Sequence, residues 1–537
     1  MLALLRIRVR IGGSLLLLVF SSWPSFTSAE EVFLGEIEFP SSGAPDAQPE
    51  FIRGVLYMHS FEYDLAAVAF RQAQTIDPDF AMAYWGEAMT YHHSLWRRQS
   101  QQAAQDVLNR LGDTSDERAA KAQTQREKEY VRAAEILFGM TGKTKDLGKL
   151  ERDIHYRNAM RRLYLAYPDD HEARAFFGLS ILGVGSANRD YASYMQAAAV
   201  LTPVWDANRL HPGAAHYLIH SYDDPVHAIL GLPMARAYGK ISVGAAHAQH
   251  MTSHIYVALG LWDDMIAANL TALSVESKKT VGEGARSREA WHHRYWLHYG
   301  RLQQGRLEDA ETMLRTTRER LGNDPLPRER AYYGAMFARY IFDTEKWDDA
   351  ENWLAPVGVD IPGPHYNFAR AFAATKLGQL DKARKLMADM HPGRHGNSEI
   401  ILVAEEVAIL QLELDAILAL SEGDHEKALE LLREAVTRHT SMPFRYGPPR
   451  ISKPTAELLG DVLMELGRAE QASLAYQDQL SRTLLRTHSL LGLARAAAQT
   501  GDATVSREAY SALANIWHNA DSALPALAEA RGRADTP

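Results

Sequence analysis

The chain is 537 residues long, 46% hydrophobic and 23% charged, a composition that supports a large packed core and excludes intrinsic disorder. Lys plus Arg total 58 against 67 for Asp plus Glu, a formal charge of -9; the basic excess that displaces phosphate counterions is missing, and no nucleic-acid partner is expected. There is no cysteine, which rules out disulfides, thiolate metal sites, cysteine nucleophiles and a lipid-modified N-terminal cysteine, and leaves only nitrogen and oxygen ligands for any metal.

Residues 1–29 carry Arg6, Arg8 and Arg10, an apolar stretch from Ile11 to Phe20, and small residues at Thr27 and Ala29 before Glu30. That order predicts a secretory signal peptide cleaved after Ala29. A membrane anchor would need about 20 apolar residues, and this run is broken by Ser21, Ser22 and Pro24. The expected location is therefore periplasmic or secreted, with no membrane span after signal cleavage.

The spacing of Gly54, Tyr57, Ala66, Phe70, Ala73 and Pro78 resembles the tetratricopeptide repeat (TPR), in which each unit is two antiparallel helices. A small residue on the first helix faces another twelve positions later on the second, so the axes approach, and the aromatic fills the adjoining gap. The same offset recurs at Ala338 and Ala350, Ala371 and Ala383, Ala416 and Ala428, and Gly460 and Ala472, with turn cues around Gly378, Gly423 and Gly467. Alternating β-branched runs are absent, and Ala, Leu, Glu, Arg and Gln dominate. The predicted fold class is all-α, a tetratricopeptide-like helical-hairpin solenoid winding as an irregular right-handed superhelix. Its expected parts are N-terminal repeats over 30–205, histidine-rich repeats over 206–305, C-terminal repeats over 306–520 and a tail over 521–537, frayed from Arg531. Interruptions are expected at 99–125, 141–149, 356–364 and 443–454, where polar, Lys-rich or Pro/Gly-rich composition breaks the pattern.

Seven of the 22 histidines fall between His211 and His254, where uniform scatter would place about two. On a helix His216 and His220 share a face, and His247, His250 and His254 form an i, i+3, i+7 stripe. His216 precedes Ala228 by twelve residues, so the first group falls on the leading helix of one hairpin and the second on the leading helix of the next. Leading helices line the concave surface of a TPR array and run about 8–10 Å apart, a gap that two imidazoles bridge through one ion. The candidate ligands are His211, His216, His220, His247, His250 and His254, with His59, His93, Asp223 and His227 as further candidates. Asp223 or Asp224 can orient a ring N–H or supply an oxygen. The alternative is a hydrogen-bonded polar core of His, Tyr217, Tyr222 and Asp223.

Imidazole with carboxylate and no thiolate suits a divalent transition metal, copper, zinc or iron. The pairs His216/His220 and His250/His254 have metalloprotease spacing but lack the glutamate that acts there as general base. Glu87 and Glu172 are oxygen candidates by helical context. His292, His293 and His298 sit among aromatics on the next leading helix, and His298 precedes Ala310 by twelve, a packing position. Trp85, Trp96, Trp262, Trp291 and Trp296 read as core or groove lining. Gly183 and Gly185 follow no strand and lack the third glycine of a dinucleotide fingerprint, and no phosphate loop or nucleophile elbow is present, so no nucleotide cofactor is expected.

The stretch 56–96 with its Met58-His59-Ser60-Phe61 phrase, the phrases around His211–His220 and His247–His254, and the segments 447–472 and 489–502 together resemble a histidine-rich group of exported bacterial tetratricopeptide proteins. The likeness implies architecture and export, and no particular reaction. In it His59 and His93 match family histidines, whereas His92 and Ser94 stand where the family phrase has Asn and Pro. Three functions remain open. The protein is a binding protein whose concave face holds a metal ion and takes a small ligand, protein or peptide. It is a metalloenzyme with an open coordination position. Or it is a metal-free interaction scaffold.

Overall fold

Twenty-six α-helices follow one another in the computed structural model, which describes residues 32–185, 189–279, 288–322, 325–361, 363–391 and 402–534. The expected signal peptide lies outside the described residues. Among them the β-structure is a two-residue ribbon, His92–His93 against Arg98–Gln99, and no helix is long and apolar enough to cross a membrane.

The helices pair as hairpins because small residues let their axes close on aromatic rings. Phe70, on the helix Tyr63–Ile76, lies between Gly54 on Gln48–His59 and Gly86 on Ala81–Met89. A Cβ at either glycine would fall inside the van der Waals envelope of the ring. The arrangement repeats near the other end, where Tyr476 on Ala469–Arg482 lies between Gly460 on Thr455–Glu465 and Gly492 on Thr487–Thr500. One aromatic thus joins its own hairpin to the next. The small residues spaced by twelve behave alike: Ala338, Ala371 and Ala416 are buried, and so are Ala350, Ala383 and Ala428 on the following helices. Gly423 and Gly467 turn two of these hairpins at φ of 85° and 70°, a conformation that a Cβ disfavours.

Two stretches differ from expectation. Residues 99–125 do not simply interrupt the array, because they form the helices Gln101–Leu111 and Ser115–Lys121. Ala104, Val107, Leu108 and Leu111 make a buried stripe at helical spacing that the polar composition conceals, and Thr114 with Glu117 closes a capping box on the second helix. The expected tail from 521 folds back instead, and Leu527 and Ala530 bury the helix Leu527–Ala534 against Ala503–Ile516. By contrast, 141–147 and 443–454 run without α-helix, as their composition predicts.

The hairpins wind back on themselves. The helix Gln48–His59 packs on Pro212–Tyr222, and Glu36 N–H donates to Leu210 O at 3.0 Å. Farther on, Trp262 Nε1 donates to Leu485 O at 3.2 Å and Trp517 Nε1 to Gln303 O at 3.1 Å. One hydrophobic core runs from Leu34 to Ala496, so the divisions at 205/206 and 305/306 separate no independent cores. Within it the leading helices Pro212–Tyr222, Ala246–Leu259 and Arg288–Gln303 are neighbours.

Candidate metal centre

The phrase around His211 is a helix start. His211 is the N-cap, its Nδ1 accepting the Ala214 N–H at 3.2 Å, and Pro212 occupies the first turn where no N–H is needed. The helix that follows is buried at every residue from Pro212 to Ser221, and the next leading helix is buried from Ala246 to Val257. These helices have no solvent face, so their histidines, spaced by three and four, point into the core and toward neighbouring helices. The inner wall is therefore not an open groove at this level. The segment 442–454 covers it, with Tyr446 set 4.9 Å from the His254 ring and Gly447 against the Trp296 indole.

His250, His254 and His292 bring three ring nitrogens together. His254 Nε2 lies 3.2 Å from His250 Nε2, and His292 Nε2 lies 2.7 Å from His250 Nε2. The opposite nitrogens of the first two rings are already engaged. His254 Nδ1–H donates to Asp223 Oδ2 at 2.6 Å. His250 Nδ1–H donates to Asn269 Oδ1 at 2.7 Å, and the Asn269 amide is oriented by its own donation to Met265 O at 2.8 Å. With Nδ1 protonated on both rings, two Nε2 lone pairs face each other at 3.2 Å. His292 Nε2–H can donate to the His250 lone pair at 2.7 Å, and a metal ion in place of that proton would meet all three nitrogens. The separation is close to the edge of a tetrahedron of nitrogens around Zn²⁺, about 3.3 Å for bonds of 2.0–2.1 Å.

His216, His220 and His247 form a second group, with one nitrogen of each within 4.8 Å of the others. His216 Nδ1–H donates to His59 O at 2.6 Å, and the Nε2 atoms of all three rings are buried without a hydrogen-bond partner. Phe61 holds them from one side, 4.3 Å from His216 and 5.5 Å from His247. Its φ of 55° is a left-handed conformation that costs a non-glycine residue about 1–2 kcal/mol. Asp223 links the two groups: one of its oxygens and a nitrogen from each of His220 and His254 lie within 4.8 Å of one another.

A third group is His59, Glu172 and His211. Because His211 Nδ1 is the cap acceptor, its proton is on Nε2, which lies 3.1 Å from Glu172 Oε1 as a charge contact without hydrogen-bond alignment. His59 Nε2–H donates to Glu172 Oε2 at 2.7 Å, and His59 Nδ1 accepts from Tyr217 OH at 2.9 Å. The close fit depends on Gly213, since a Cβ there would overlap the His59 ring. Burial alone would raise the Glu172 carboxyl, but the two imidazoles outweigh it and hold the group well below the carboxylate range. Burial lowers His59.

The remaining histidines stand apart. His227 is bonded to Asp224 at 2.9 Å and packs on Tyr191. His93 stacks on Tyr63 at 4.2 Å and bonds Thr90 O, while His92 bonds the Gln99 side chain at 3.3 Å. Glu87 pairs with Arg71, Arg110 and Gln74. His293 stacks on His250 at 4.6 Å, and His298 is fully buried, a packing position.

No protein-family model matches the chain, and no curated protein does. Among solved structures it is similar to Cut9 from the Cut9–Hcn1 hetero-tetramer of the APC/C, at 11% identity over 91% of this chain and 77% of that one, with a TM-score of 0.33. It is also similar to a human IFIT1 dimer with PPP-AAAA, at 11% identity over 88% and 95% of the two chains and a TM-score of 0.36. A monomeric IFIT1 mutant with Gppp-AAAA gives 14% identity over 92% and 95%, also at 0.36.

Burial works against a proton at these rings. It pushes His220, His247 and His250 well below the ordinary imidazole range, and the neighbouring imidazoles push each farther. His216 is lowered to about 3, also by burial first. These rings are neutral at neutral pH. An ion between His250, His254 and His292 meets three imidazoles and keeps a fourth position open, with Asp223 and Asn269 orienting two of the rings as carboxylates and carbonyls do around bound zinc. Of the six histidines singled out between 211 and 254, five lie in these two groups and His211 does not. His292 joins them from the third leading helix, and its i+42 relation to His250 has no local signal.

Proposed function

We propose that this is an exported metal-binding protein that holds a divalent transition metal between His250, His254 and His292. The single observation carrying the proposal is the pair of inward-facing Nε2 atoms 3.2 Å apart, each fixed by a hydrogen bond on the far side of its ring. Neutral nitrogen donors favour zinc or copper(II) over magnesium, calcium or manganese. Export is supported by the basic, apolar and small residues of 1–29.

Elemental analysis of the full chain purified without added chelator tests the proposal. Stoichiometric zinc or copper is expected, with this ion lost in a His250→Ala/His292→Ala variant that keeps its helical circular dichroism. Purified protein that contains no transition metal and takes up neither ion on titration would mean that a proton occupies the gap. A second reading, a metalloenzyme, is favoured by the open fourth position; azide or cyanide binding to the copper-loaded protein, seen as a new charge-transfer band, would support it.

A further inference from the structure

The group formed by His216, His220 and His247 has a feature that neither packing nor hydrogen bonding accounts for. Its three Nε2 atoms are buried, none has a hydrogen-bond partner, and one nitrogen of each ring lies within 4.8 Å of the others. A single buried polar nitrogen left unpaired costs about 1–3 kcal/mol, so three of them on rings that share one locus is a costly arrangement for a core. His216 cannot escape by changing tautomer, because its Nδ1–H is committed to the His59 carbonyl at 2.6 Å. At His59, Glu172 and His211 the unpartnered nitrogen, His211 Nε2, at least faces a carboxylate oxygen 3.1 Å away, and both His59 nitrogens are hydrogen-bonded.

Asp223 stands beside this group as well as beside the first. Its Oδ2 accepts from His254, while its Oδ1 is buried and has no hydrogen-bond partner. That oxygen is a free donor atom between two sets of three imidazoles.

We propose that the core holds two divalent transition metal ions, one at His250, His254 and His292 and one at His216, His220 and His247, with the Asp223 carboxylate between them. The proposal rests on the metal-binding reading above. The second ion supplies the missing partner for three nitrogens, drawing them from within 4.8 Å of one another toward the roughly 3.3 Å spacing of nitrogens that share a metal. The carboxylate offsets part of the charge that two cations bring into a buried site. Phe61, held at positive φ, packs on the rings of the second site, 4.3 Å from His216 and 5.5 Å from His247.

The test is a metal titration of the chelator-stripped full chain with Zn²⁺ and with Cu²⁺, read as ions bound per chain after desalting. Two equivalents are expected for the wild type, one for His216→Ala/His247→Ala and one for His250→Ala/His292→Ala. If an alanine variant loses its helical signal, the Gln versions of the same substitutions replace it. The Cu²⁺ electron paramagnetic resonance spectrum gives an independent reading: the doubly loaded wild type should show broadening or loss of signal from coupled ions, and each singly loaded variant a sharp isolated spectrum. One equivalent in the wild type, lost only in the His250/His292 variant and with an isolated copper signal, overturns the second site and leaves the first standing. No bound ion in the wild type overturns both.

Discussion

Replacing Asn269 by Leu tests whether the far-side hydrogen bonds select the metal-binding tautomer. In the native protein Asn269 Oδ1 takes the His250 Nδ1 proton at 2.7 Å, which leaves Nε2 as the lone pair facing His254. A leucine of similar volume removes that acceptor. The His250 proton then moves to Nε2, where it meets the His254 lone pair at 3.2 Å, and the vacated Nδ1 gains the Ser253 hydroxyl, 3.5 Å away, only if that hydroxyl leaves the His250 carbonyl to which it now donates at 2.6 Å. One hydrogen bond is exchanged for another, so metal-free stability should change by no more than about 1 kcal/mol. Metal binding must reverse the tautomer and strand the proton against an apolar side chain, so the dissociation constant should rise about 10–100-fold, or about 1.4–2.7 kcal/mol. Competition against a chromophoric chelator measures the first quantity with Zn²⁺, and urea unfolding of the stripped protein the second. Asn269→Asp keeps an acceptor in place and should bind at least as tightly as wild type. If Asn269→Leu binds zinc as wild type does, or if Leu and Asp variants weaken it equally, the orienting role assigned to this amide is wrong.

Three further outcomes follow from the geometry. Glu172→Leu leaves two buried imidazole N–H groups without an acceptor and should destabilise the fold by about 3–5 kcal/mol, yet leave the number of bound ions unchanged; Glu172→Gln should be milder, because His59 can reverse its donor and acceptor nitrogens while Tyr217 OH switches role. Gly86→Ala puts a Cβ into the Phe70 ring and should cost about 1–3 kcal/mol in urea unfolding, whereas Gly142→Ala, which meets nothing within 4 Å, should be close to neutral. Acid should weaken the fold through His298 and His365, both lowered from 6.5 to about 3, chiefly by burial. Between those values the unfolded chain binds a proton that the folded chain refuses, so the contribution is whole above pH 6.5 and is lost on acidification. Each group accounts for about 1.4 kcal/mol per pH unit, or about 2 kcal/mol from pH 6.5 to 5. A His365→Gln variant whose stability falls with pH as steeply as wild type would contradict that assignment.

The helical repeat was readable because its causes are local. The twelve-residue offsets and the aromatic that follows each leading helix report directly on how two adjacent helices touch, and the structure buries the same residues. The histidine pairs were readable for the same reason, since i and i+4 share a face whatever the tertiary setting. What escaped was everything that depends on the chain winding back. Glu172 meets His59 across 113 residues, and Asn269 meets His250 from the second helix of the hairpin, where an asparagine carries no distinguishing pattern. His211 looked like a ligand because it leads a histidine-rich phrase, but the Pro-Gly that follows makes it a cap. The helix Gln101–Leu111 was hidden by its polar residues, although four apolar ones at helical spacing were enough to seat it.

The cover over the histidines comes from a part of the chain made long after they are. Residues 442–454 lie far downstream of His292, yet Tyr446 rests on His254 and Gly447 on Trp296. The wall around His254 and Trp296 is therefore complete only when that distant stretch has packed against it. If the proposed ion binds, it enters most easily before that stretch packs down. Folding the chain with the ion present should give a faster and more complete product than supplying the ion to finished protein.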